Sequence, residues 1–299
     1  MVKVFAAATL ALVCAHAQAQ NNYPARPVRM IVAFTPGSET DFFARNVGQK
    51  LAELWGQQVV VDNRPGAGGV IATKIVVSAP ADGYTIFMHS MAHAITPAIY
   101  ANLPYDALRD LKGISQVSGV PNVLVVPPAH GVKSVKELIT QAKQKPGALT
   151  FGSAGVGSGM HINGEQFRLA ADINVVHVAY KGGPEAITDA LAGRINFVFS
   201  PIGLALPLVR DKRLTALAVS PATRSPALPD VPTVAEAGVP GYASVAIFGV
   251  LAPAKTPPSL IERLNREIVK VLQTTEVKER LFNAGSEVVA SSADAFGAA

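Results

Sequence analysis

Cysteine is almost absent from this 299-residue sequence, which contains one, Cys14. That cysteine lies within Met1–Ala19, where Lys3 precedes a short apolar run and an Ala-x-Ala pattern ending at Ala19 is typical of signal-peptide cleavage. A second such pattern ends at Ala17. Cleavage near Ala19 would remove the cysteine, so the sequence predicts an exported mature protein without a disulfide bond.

Charged residues are also scarce. They make up 16% of the sequence, with a net charge of +5, and no basic run interleaved with aromatic residues occurs. This pattern argues against nucleic-acid binding. The longest apolar stretch after the signal peptide, Phe197–Val209, contains Pro201 and Pro207 and is shorter than the ~20 residues of a membrane span. The 49% hydrophobic content instead indicates sizeable cores, in a chain long enough for two domains.

The common catalytic and metal-binding motifs are missing as well. Neither Ser153 nor Ser158 lies in Gly-x-Ser-x-Gly, and His-Glu-x-x-His does not occur. His89 and His93 have helical spacing but no carboxylate or thiol beside them, so structural or ligand-contact roles are expected rather than a metal site. We predict no catalytic residue, no metal and no cofactor. An exported hydrolase of the α/β type remains the alternative, because catalytic triads assemble in space rather than in sequence.

The segment Phe151–Phe167 combines a strand end, a glycine-rich turn and a helix start. Gly152, Gly155 and Gly157 would let backbone N–H groups approach a guest closely, and Ser158 is suited to cap the following helix. Since a helix N-terminus carries a partial positive charge and unpaired amides, the segment predicts an anion-binding loop. The alternative is a glycine-rich connection that binds nothing.

The same order of strand, glycine-rich loop and helix recurs along the chain. Val28–Phe34 precedes a turn and a helix for which Thr40 or Asp41 is the expected cap, and Val59–Val61 precedes the glycine-rich stretch Asn63–Gly69. Strands that alternate with helices predict an α/β fold with mainly parallel sheets. In open α/β sheets, ligands bind at the edge where strands give way to helices.

Two capping boxes and a buried strand add to this interpretation. Ser134-x-x-Glu137 predicts the start of a helix, and Thr233-x-x-Glu236 has the same pattern. The apolar run Val123–Val126 predicts a buried strand.

A series of short motifs covers nearly the whole mature chain, and its order and spacing are more specific than any one motif. The series is Pro36-Gly37 with Asp41 and Ala44-Arg45, Asn63-Arg64-Pro65-Gly66-Ala67-Gly68-Gly69, Asp82-Gly83-Tyr84-Thr85, Tyr105-Asp106, Ser153-x-Gly155-x-Gly157-Ser158 with His161, Gly164-Glu165 and Phe167, Tyr180-Lys181-Gly182, Leu228-Pro229-Asp230-Val231-Pro232-Thr233, Glu236-Ala237-Gly238 and Ala252-Pro253. In these motifs the chain resembles the Bug-type extracytoplasmic solute receptors, the substrate-binding proteins of tripartite tricarboxylate transporters.

The resemblance implies an α/β, two-lobed periplasmic binding protein fold of the type II class, with a cleft between the lobes. Lobe one is expected at residues 20–120 plus 243–299 and lobe two at residues 121–242. The implied function is periplasmic capture of a small carboxylate for uptake or sensing, without catalysis. The ligand would be a di- or tricarboxylate, an aromatic carboxylate, or an acidic or amidated amino acid. A membrane permease or a sensor kinase is the implied partner, and the receptor is expected to be a monomer.

One ligand carboxylate is expected to lie against the backbone amides of Gly37–Thr40 and Gly66–Gly69 in lobe one. The other polar end of the ligand is expected to meet the loops of lobe two at Ser153, Gly157, Ser158 and Tyr180–Gly183. Two arginines near these loops, Arg45 and Arg64, have ion pairs with Asp41 and Asp62 as the alternative to ligand contact. The predicted ligand-binding residues are Pro36, Gly37, Ser38, Thr40, Asp41, Ala67, Gly68, Gly69, His89 and Ser90 in lobe one, and Ser153, Gly157, Ser158, His161, Tyr180, Lys181, Gly182 and Ser200 in lobe two.

The sequence also departs from the family pattern. Ser38 and Glu39 stand where the first loop usually has glycine, Ile247 stands where tryptophan is common, and Asn196 replaces a frequent aspartate. The chain is also about one helix shorter at its C-terminus than the family pattern. A carboxylate at Glu39 would repel an anionic ligand if it pointed inward. It would otherwise point to solvent or favour a ligand that bears an amide or amine.

Overall fold

The computed structural model describes residues 23–90 and 92–298. The predicted signal peptide, Met1–Ala19, lies outside the described residues. Within those ranges, no helix has the length and apolar character needed to cross a bilayer.

Strands and helices alternate along the chain, as the sequence predicts. The strands are β1 (Val28–Val32), β2 (Val59–Asn63), β3 (Thr85–Ser90), β4 (Leu111–Val126), β5 (Thr150–Ser153), β6 (Val176–Ala179), β7 (Phe197–Pro201), β8 (Thr215–Val219), β9 (Val245–Pro253) and β10 (Glu287–Val288). The helices are α1 (Glu39–Trp55), α2 (Val70–Val77), α3 (Ala92–Ile99), α4 (Val135–Gln144), α5 (Gly159–Ala170), α6 (Gly183–Leu191), α7 (Ile202–Arg210), α8 (Pro258–Leu272), α9 (Thr275–Asn283) and α10 (Ala293–Ala298). Short 3-10 turns occupy Ala67–Gly69 and Pro128–His130.

The strands follow one path in the order β2-β1-β3-β9-β4-β7-β5-β6, and β8 and β10 also pair with β4. Strand β1 is parallel to β2 and β3, and β5 is parallel to β6 and β7. The pairs made by β4 and β9 are antiparallel. The fold is therefore α/β with two mainly parallel groups of strands that are joined through antiparallel β4 and β9.

Strand β4 belongs to both groups. Its first part, from Leu111 to Pro121, pairs with β9, and its last part, from Asn122 onwards, pairs with β7 and β8. We call the part of the molecule built on β1, β2, β3, β9 and β10 lobe one, and the part built on β5 to β8 lobe two. The residue-level division between the lobes, at 120/121 and 242/243, stays a prediction.

The core is divided in a similar way. One cluster is made mainly by lobe one and includes the fully buried Phe43 and Phe87, whereas a second cluster around Phe151, Phe167 and Phe199 lies within lobe two. In the second cluster, the rings of Phe167 and Phe199 are 5.5 Å apart. Each buried phenylalanine of this kind contributes about 1.5–3 kcal/mol through the loss of apolar surface to solvent.

Two expectations about helix starts need correction. Helix α1 begins at Glu39 and is capped by Ser38, whose hydroxyl accepts a hydrogen bond from the Asp41 amide at 3.3 Å, so neither Thr40 nor Asp41 is the cap. The Thr233 box does form, because the Thr233 amide donates to Glu236 and the Glu236 amide donates to the Thr233 hydroxyl. It closes a turn rather than opening a helix, since the chain turns again at once.

Candidate functional site

A cavity of about 400 Å³ lies between the lobes. Both lobes contribute to its walls, and the starts of four helices, α1, α5, α6 and α7, reach it. The lining residues are Phe34, Ser38, Glu39, Thr40, Ser90, Ala246 and Phe248 from lobe one, and Asn122, Ala154, Ser158, Gly159, Met160, Gly183, Pro201 and Leu204 from the β4–lobe two side.

The start of α1 presents backbone amides to this cavity. As the first two helical residues, Glu39 and Thr40 have amides with no acceptor inside the helix. The loop before them is held by the Asp41 carboxylate, which accepts hydrogen bonds from the Gly37 amide at 2.9 Å and from Arg45 at 2.9 Å. Burial alone would raise the pKa of Asp41, but these hydrogen bonds lower it overall. Asp41 is therefore ionised and fixes the loop, and the Asp41–Arg45 ion pair, which was the alternative to ligand contact by Arg45, is present.

The start of α5 faces the cavity from the other lobe. The Ser158 hydroxyl accepts a hydrogen bond from the His161 amide at 3.3 Å, which confirms Ser158 as the cap. The next two residues, Gly159 and Met160, have helix-start amides without an intrahelical acceptor and line the cavity. The Gly157 amide is used elsewhere, because it donates to Nδ1 of His161 at 3.2 Å.

A serine–histidine cluster supports the loop before α5. The Ser153 hydroxyl lies 2.6 Å from Nε2 of His177 and also accepts from the Gly155 amide at 3.0 Å. The rings of His177 and His161 are 4.2 Å apart. Burial, together with the neighbouring His161, lowers the pKa of His177 to about 4, while Glu165 acts in the opposite direction. The neutral imidazoles thus hold the loop in place.

This cluster does not have the arrangement of a hydrolase site. Ser153 is fully buried, and its hydroxyl is taken up by the loop backbone and His177. No carboxylate is hydrogen-bonded to His177 in the described part of the chain, so the third member of a Ser–His–acid triad is missing there.

Acidification should weaken this support. We expect the unfolding free energy of the wild type, relative to that of His177→Gln, to fall as the pH drops from 6.5 to 4. Over that interval the unfolded histidine takes up a proton and the folded one does not, so the folded state loses stability. The loss should be roughly 2 kcal/mol, allowing for solvent screening of a half-buried ring. Urea unfolding of both proteins at pH 7, 6, 5 and 4.5 measures it, and a difference that does not change with pH would contradict the assignment.

Glu39 is buried at the cavity, with 4% of its surface exposed. Burial raises its pKa to about 7, against the opposing effect of a hydrogen bond from the Ser286 hydroxyl at 3.3 Å. A Cβ built on Gly203 would lie 3.0 Å from one Glu39 carboxylate oxygen, so this side chain contacts the start of α7 in the opposite lobe. The sequence-based possibility that Glu39 points to solvent is therefore wrong.

Asn122 is a buried polar side chain at the cavity that has no hydrogen-bond partner among the described residues. It is 1% exposed, and neither its amide nitrogen nor its amide oxygen has a hydrogen-bond partner. Asn122 sits where β4 leaves its pairing with β9 and begins to pair with β7, opposite Pro201. Leaving such an amide unpaired in a folded protein costs about 1–3 kcal/mol, so Asn122 is a candidate for contact with a bound molecule.

The two lobes touch at the rim of the cavity. The Thr35 hydroxyl donates to the Glu185 carboxylate at 3.1 Å across the cleft. A second contact brings Gly68 against the carbonyl of Val156, where a Cβ built on the glycine would be only 1.9 Å from the oxygen. The structure is thus in a closed arrangement, and one rim contact has no room for a side chain at residue 68.

The predicted ligand-binding residues fall into two groups. Four line the cavity: Ser38, Thr40, Ser90 and Ser158. The others lie in the surrounding loops or beneath them, at Pro36, Gly37, Asp41, Ala67, Gly68, Gly69, His89, Ser153, Gly157, His161, Tyr180, Lys181, Gly182 and Ser200. For all of them, ligand contact stays a prediction.

Several of the second group have structural partners. The Tyr180 hydroxyl donates to Asp189 at 2.7 Å, and Lys181 is exposed. The Ser200 hydroxyl bonds to the carbonyl of Pro201. His89 differs from them, because it is buried under Gly69 and neither of its ring nitrogens has a hydrogen-bond partner among the described residues.

Sequence reasoning missed Asn122 and the apolar lining residues Phe34, Met160 and Phe248. Phe34 follows β1 and Met160 is the second residue of α5, each beside a loop that the sequence identified, whereas Phe248 lies within β9. No local pattern marks Asn122, because it lies inside an extended strand.

The chain is similar to known proteins over most of its length. A family profile described as the tripartite tricarboxylate transporter family receptor matches residues 43–297. This chain belongs to that receptor family. Protein BugT of Bordetella pertussis is 38% identical to the receptor over 276 residues, which cover 92% of this chain and 85% of BugT.

Solved structures show the same fold. The periplasmic binding protein BugD superposes on the receptor with a TM-score of 0.88 and 30% identity, covering 92% of this chain and 93% of BugD. An R. palustris protein solved with adipate also gives a TM-score of 0.88, with 34% identity and 92% of each chain covered. The two-lobed solute-binding fold expected from the resemblance is confirmed. The family and these neighbours are binding proteins, so the receptor is not an enzyme and the hydrolase alternative is set aside.

Proposed function

We propose that this receptor holds one small carboxylate in the cavity and closes its lobes over it. The observation that carries the proposal is the meeting of four helix starts around one cavity that no lysine or arginine lines in the described chain. Unpaired amides and the positive ends of helix dipoles can hold a carboxylate without a cationic side chain. Hydroxyls at Ser90 and Ser158 and the amide of Asn122 would then set selectivity.

Delivery of the ligand would depend on closure of the two lobes. Lobe one, at residues 20–120 plus 243–299, and lobe two, at residues 121–242, would separate in the unliganded receptor and meet in the liganded one. The closed form would be the species that a membrane permease or a sensor kinase recognises. Export to the periplasm would depend on the signal peptide that ends near Ala19.

A ligand screen tests the proposal. We expect at least one carboxylate from a panel of adipate, shorter dicarboxylates, citrate, benzoate, acidic amino acids and their amides to raise the melting temperature. A ligand that binds only the folded state adds about 2.7 kcal/mol at a hundredfold excess over its dissociation constant. Differential scanning fluorimetry measures the shift, and calorimetric titration then gives the affinity.

The matched control is the uncharged analogue of each hit, such as 1,6-hexanediol for adipate. It has the same chain but no carboxylate, so it should leave the melting curve unchanged. If no carboxylate in the panel shifts the curve, or if the diols shift it equally, carboxylate capture is wrong for this receptor.

A further inference from the structure

The Glu39 carboxylate lies between the two lobes. On the side of lobe one, the Ser286 hydroxyl donates a hydrogen bond to it at 3.3 Å. On the side of lobe two, a Cβ built on Gly203, the second residue of α7, would lie 3.0 and 3.3 Å from its two oxygens. Since Glu39 is 4% exposed, the contact with Gly203 completes its burial, and separation of the lobes would open that side to water.

The contact between the lobes continues beside Glu39. The Cβ built on Gly203 would also lie 2.9 Å from the carbonyl oxygen of Ala284, and a Cβ on Gly285 would lie 2.7 Å from Cγ2 of Ile202. The start of α7 is therefore packed closely against the turn between α9 and β10, with a glycine on each side. Glu39 thus belongs to a contact between lobes that is separate from the two rim contacts.

The charged groups around this contact do not compensate a charge on Glu39. Those that line cavities beside Glu39 or Ser286 are Asp41 and Arg45 on α1, Arg210 on α7, Lys278 and Glu279 on α9, and Glu287 on β10. Asp41 and Arg45 pair with each other, and the remaining four are exposed. In the described chain, the hydrogen bond from Ser286 is the one found for the Glu39 carboxylate.

These surroundings favour the protonated form of Glu39. An ionised carboxylate that is removed from water and receives one hydrogen bond loses much of its solvation. Burial raises the pKa of Glu39 to about 7, and the hydrogen bond from Ser286 opposes this rise only in part. Contact with water in an open receptor would return the pKa towards its ordinary value of 4.5. At a pH between these two values, the open form would be ionised and the closed form protonated.

We propose that Glu39 couples closure of the lobes to the uptake of one proton, so that the receptor holds its ligand more tightly as the pH falls. By linkage, a proton that binds the closed form better than the open form must favour closure. The coupling rests on the proposed capture of a carboxylate between closing lobes and makes the proton a second ligand of that step. It does not require Glu39 to touch the carboxylate.

Calorimetric titration at pH 6 and pH 8 tests the coupling, with adipate, succinate and citrate as probes. We expect the wild type to bind about tenfold more tightly at pH 6, because its closed form is then largely protonated. Glu39→Gln keeps the shape of the protonated side chain. It should bind at pH 8 as tightly as the wild type does at pH 6, with no such change between the two. Comparison of the two proteins cancels any titration of the probe itself.

Glu185→Gln is the matched control. Glu185 also contacts the opposite lobe, through Thr35, but it is only half-buried. This variant should keep the wild-type difference between pH 6 and pH 8.

A second measurement needs no variant. Titrations of the wild type at pH 7 in phosphate and in imidazole, two buffers that differ in ionisation enthalpy, report the protons taken up on binding. We expect about half a proton for each bound probe, because the closed form is about half protonated at that pH and the open form is ionised.

A readout without ligand separates this coupling from carboxylate capture. Small-angle scattering of the empty wild type should give a smaller radius of gyration at pH 6 than at pH 8, because protonation favours the closed form. The radius of Glu39→Gln should be equally small at both.

Two results would overturn the coupling. The first is an equal pH dependence of binding in the wild type and in Glu39→Gln, and the second is binding at pH 7 without proton uptake. If no probe or panel carboxylate binds at either pH, it is the proposed carboxylate capture that fails. The scattering then decides on the coupling, and a wild-type radius that is the same at pH 6 and pH 8 would contradict it.

Discussion

Replacing Gly68 by alanine should weaken ligand binding by about a hundredfold while both lobes stay folded. The added Cβ would lie 1.9 Å from the Val156 carbonyl oxygen, which is less than any real contact allows. Val156 is in lobe two and Gly68 is in lobe one, so the clash exists only when the lobes meet. A receptor that cannot populate its closed state loses the ligand contacts that only the closed state makes, so its affinity falls. A hundredfold loss of affinity corresponds to about 2.7 kcal/mol of binding free energy.

Gly131→Ala is the matched control for this experiment. Both glycines have a positive φ, 60° at Gly68 and 69° at Gly131, so both substitutions carry a similar backbone penalty of about 1–2 kcal/mol. Nothing lies within 4 Å of a Cβ at residue 131. Calorimetric titration with the tightest carboxylate from the screen should therefore separate the two variants. Equal affinities would mean that the rim contact at Gly68 is not needed for binding.

Replacing Asn122 by leucine should stabilise the empty receptor and impair its function. Leucine has nearly the same shape as asparagine, and the buried Asn122 amide has no partner in the described chain. Removing it should raise the unfolding free energy by about 1–3 kcal/mol, because an unpaired buried polar group no longer has to be desolvated. The same change deprives the ligand of a polar contact, so affinity should fall about tenfold or more. Urea unfolding without ligand and calorimetric titration with ligand measure the two effects.

Asn163→Leu is the matched control, because the Asn163 amide is also buried but is hydrogen-bonded. Asn163 is 2% exposed, but its amide donates to the Gly159 carbonyl and accepts from the Tyr242 hydroxyl. Its loss should destabilise the protein, since partners would be left unpaired. If Asn122→Leu also destabilises the empty receptor, the Asn122 amide is structural and is not reserved for a ligand.

The helix starts at the site could be predicted from the sequence because the residues that mark them are neighbours in the chain. Ser158 and the glycines before it predicted the start of α5, and the Ser134 box predicted α4 in the same way. Glycine-rich turns need particular backbone angles wherever they occur, so they leave a pattern in the residues themselves. The turn and helix after Val28–Phe34 were predicted correctly for the same reason, although the cap of α1 is Ser38 and not Thr40 or Asp41.

Long strands and the cavity lining were harder to predict because their signals are not local. The sequence indicated a strand at Val123–Val126, whereas β4 starts at Leu111. Its first part contains Gly113, Ser115 and Ser118, which weaken the apolar pattern. The two buried serine hydroxyls donate to the carbonyls of Ser291 and Glu287, which are distant in sequence. The inward position of Glu39 likewise depends on Ser286 and Gly203, which are distant in sequence.

The place of β9 sets the order in which this molecule can assemble. Strand β9, at Val245–Pro253, lies between β3 and β4, two strands that are synthesised more than a hundred residues before it. Until that strand has been synthesised, the edge of β3 at Phe87–Ser90 has no neighbour on that side. Strands β5 to β8 of lobe two follow one another in sequence, so they can pair before β9 has been synthesised. During synthesis, one half of the receptor can therefore be complete while the other is still open, and a chain truncated before Val245 would expose an unpaired strand edge that favours aggregation.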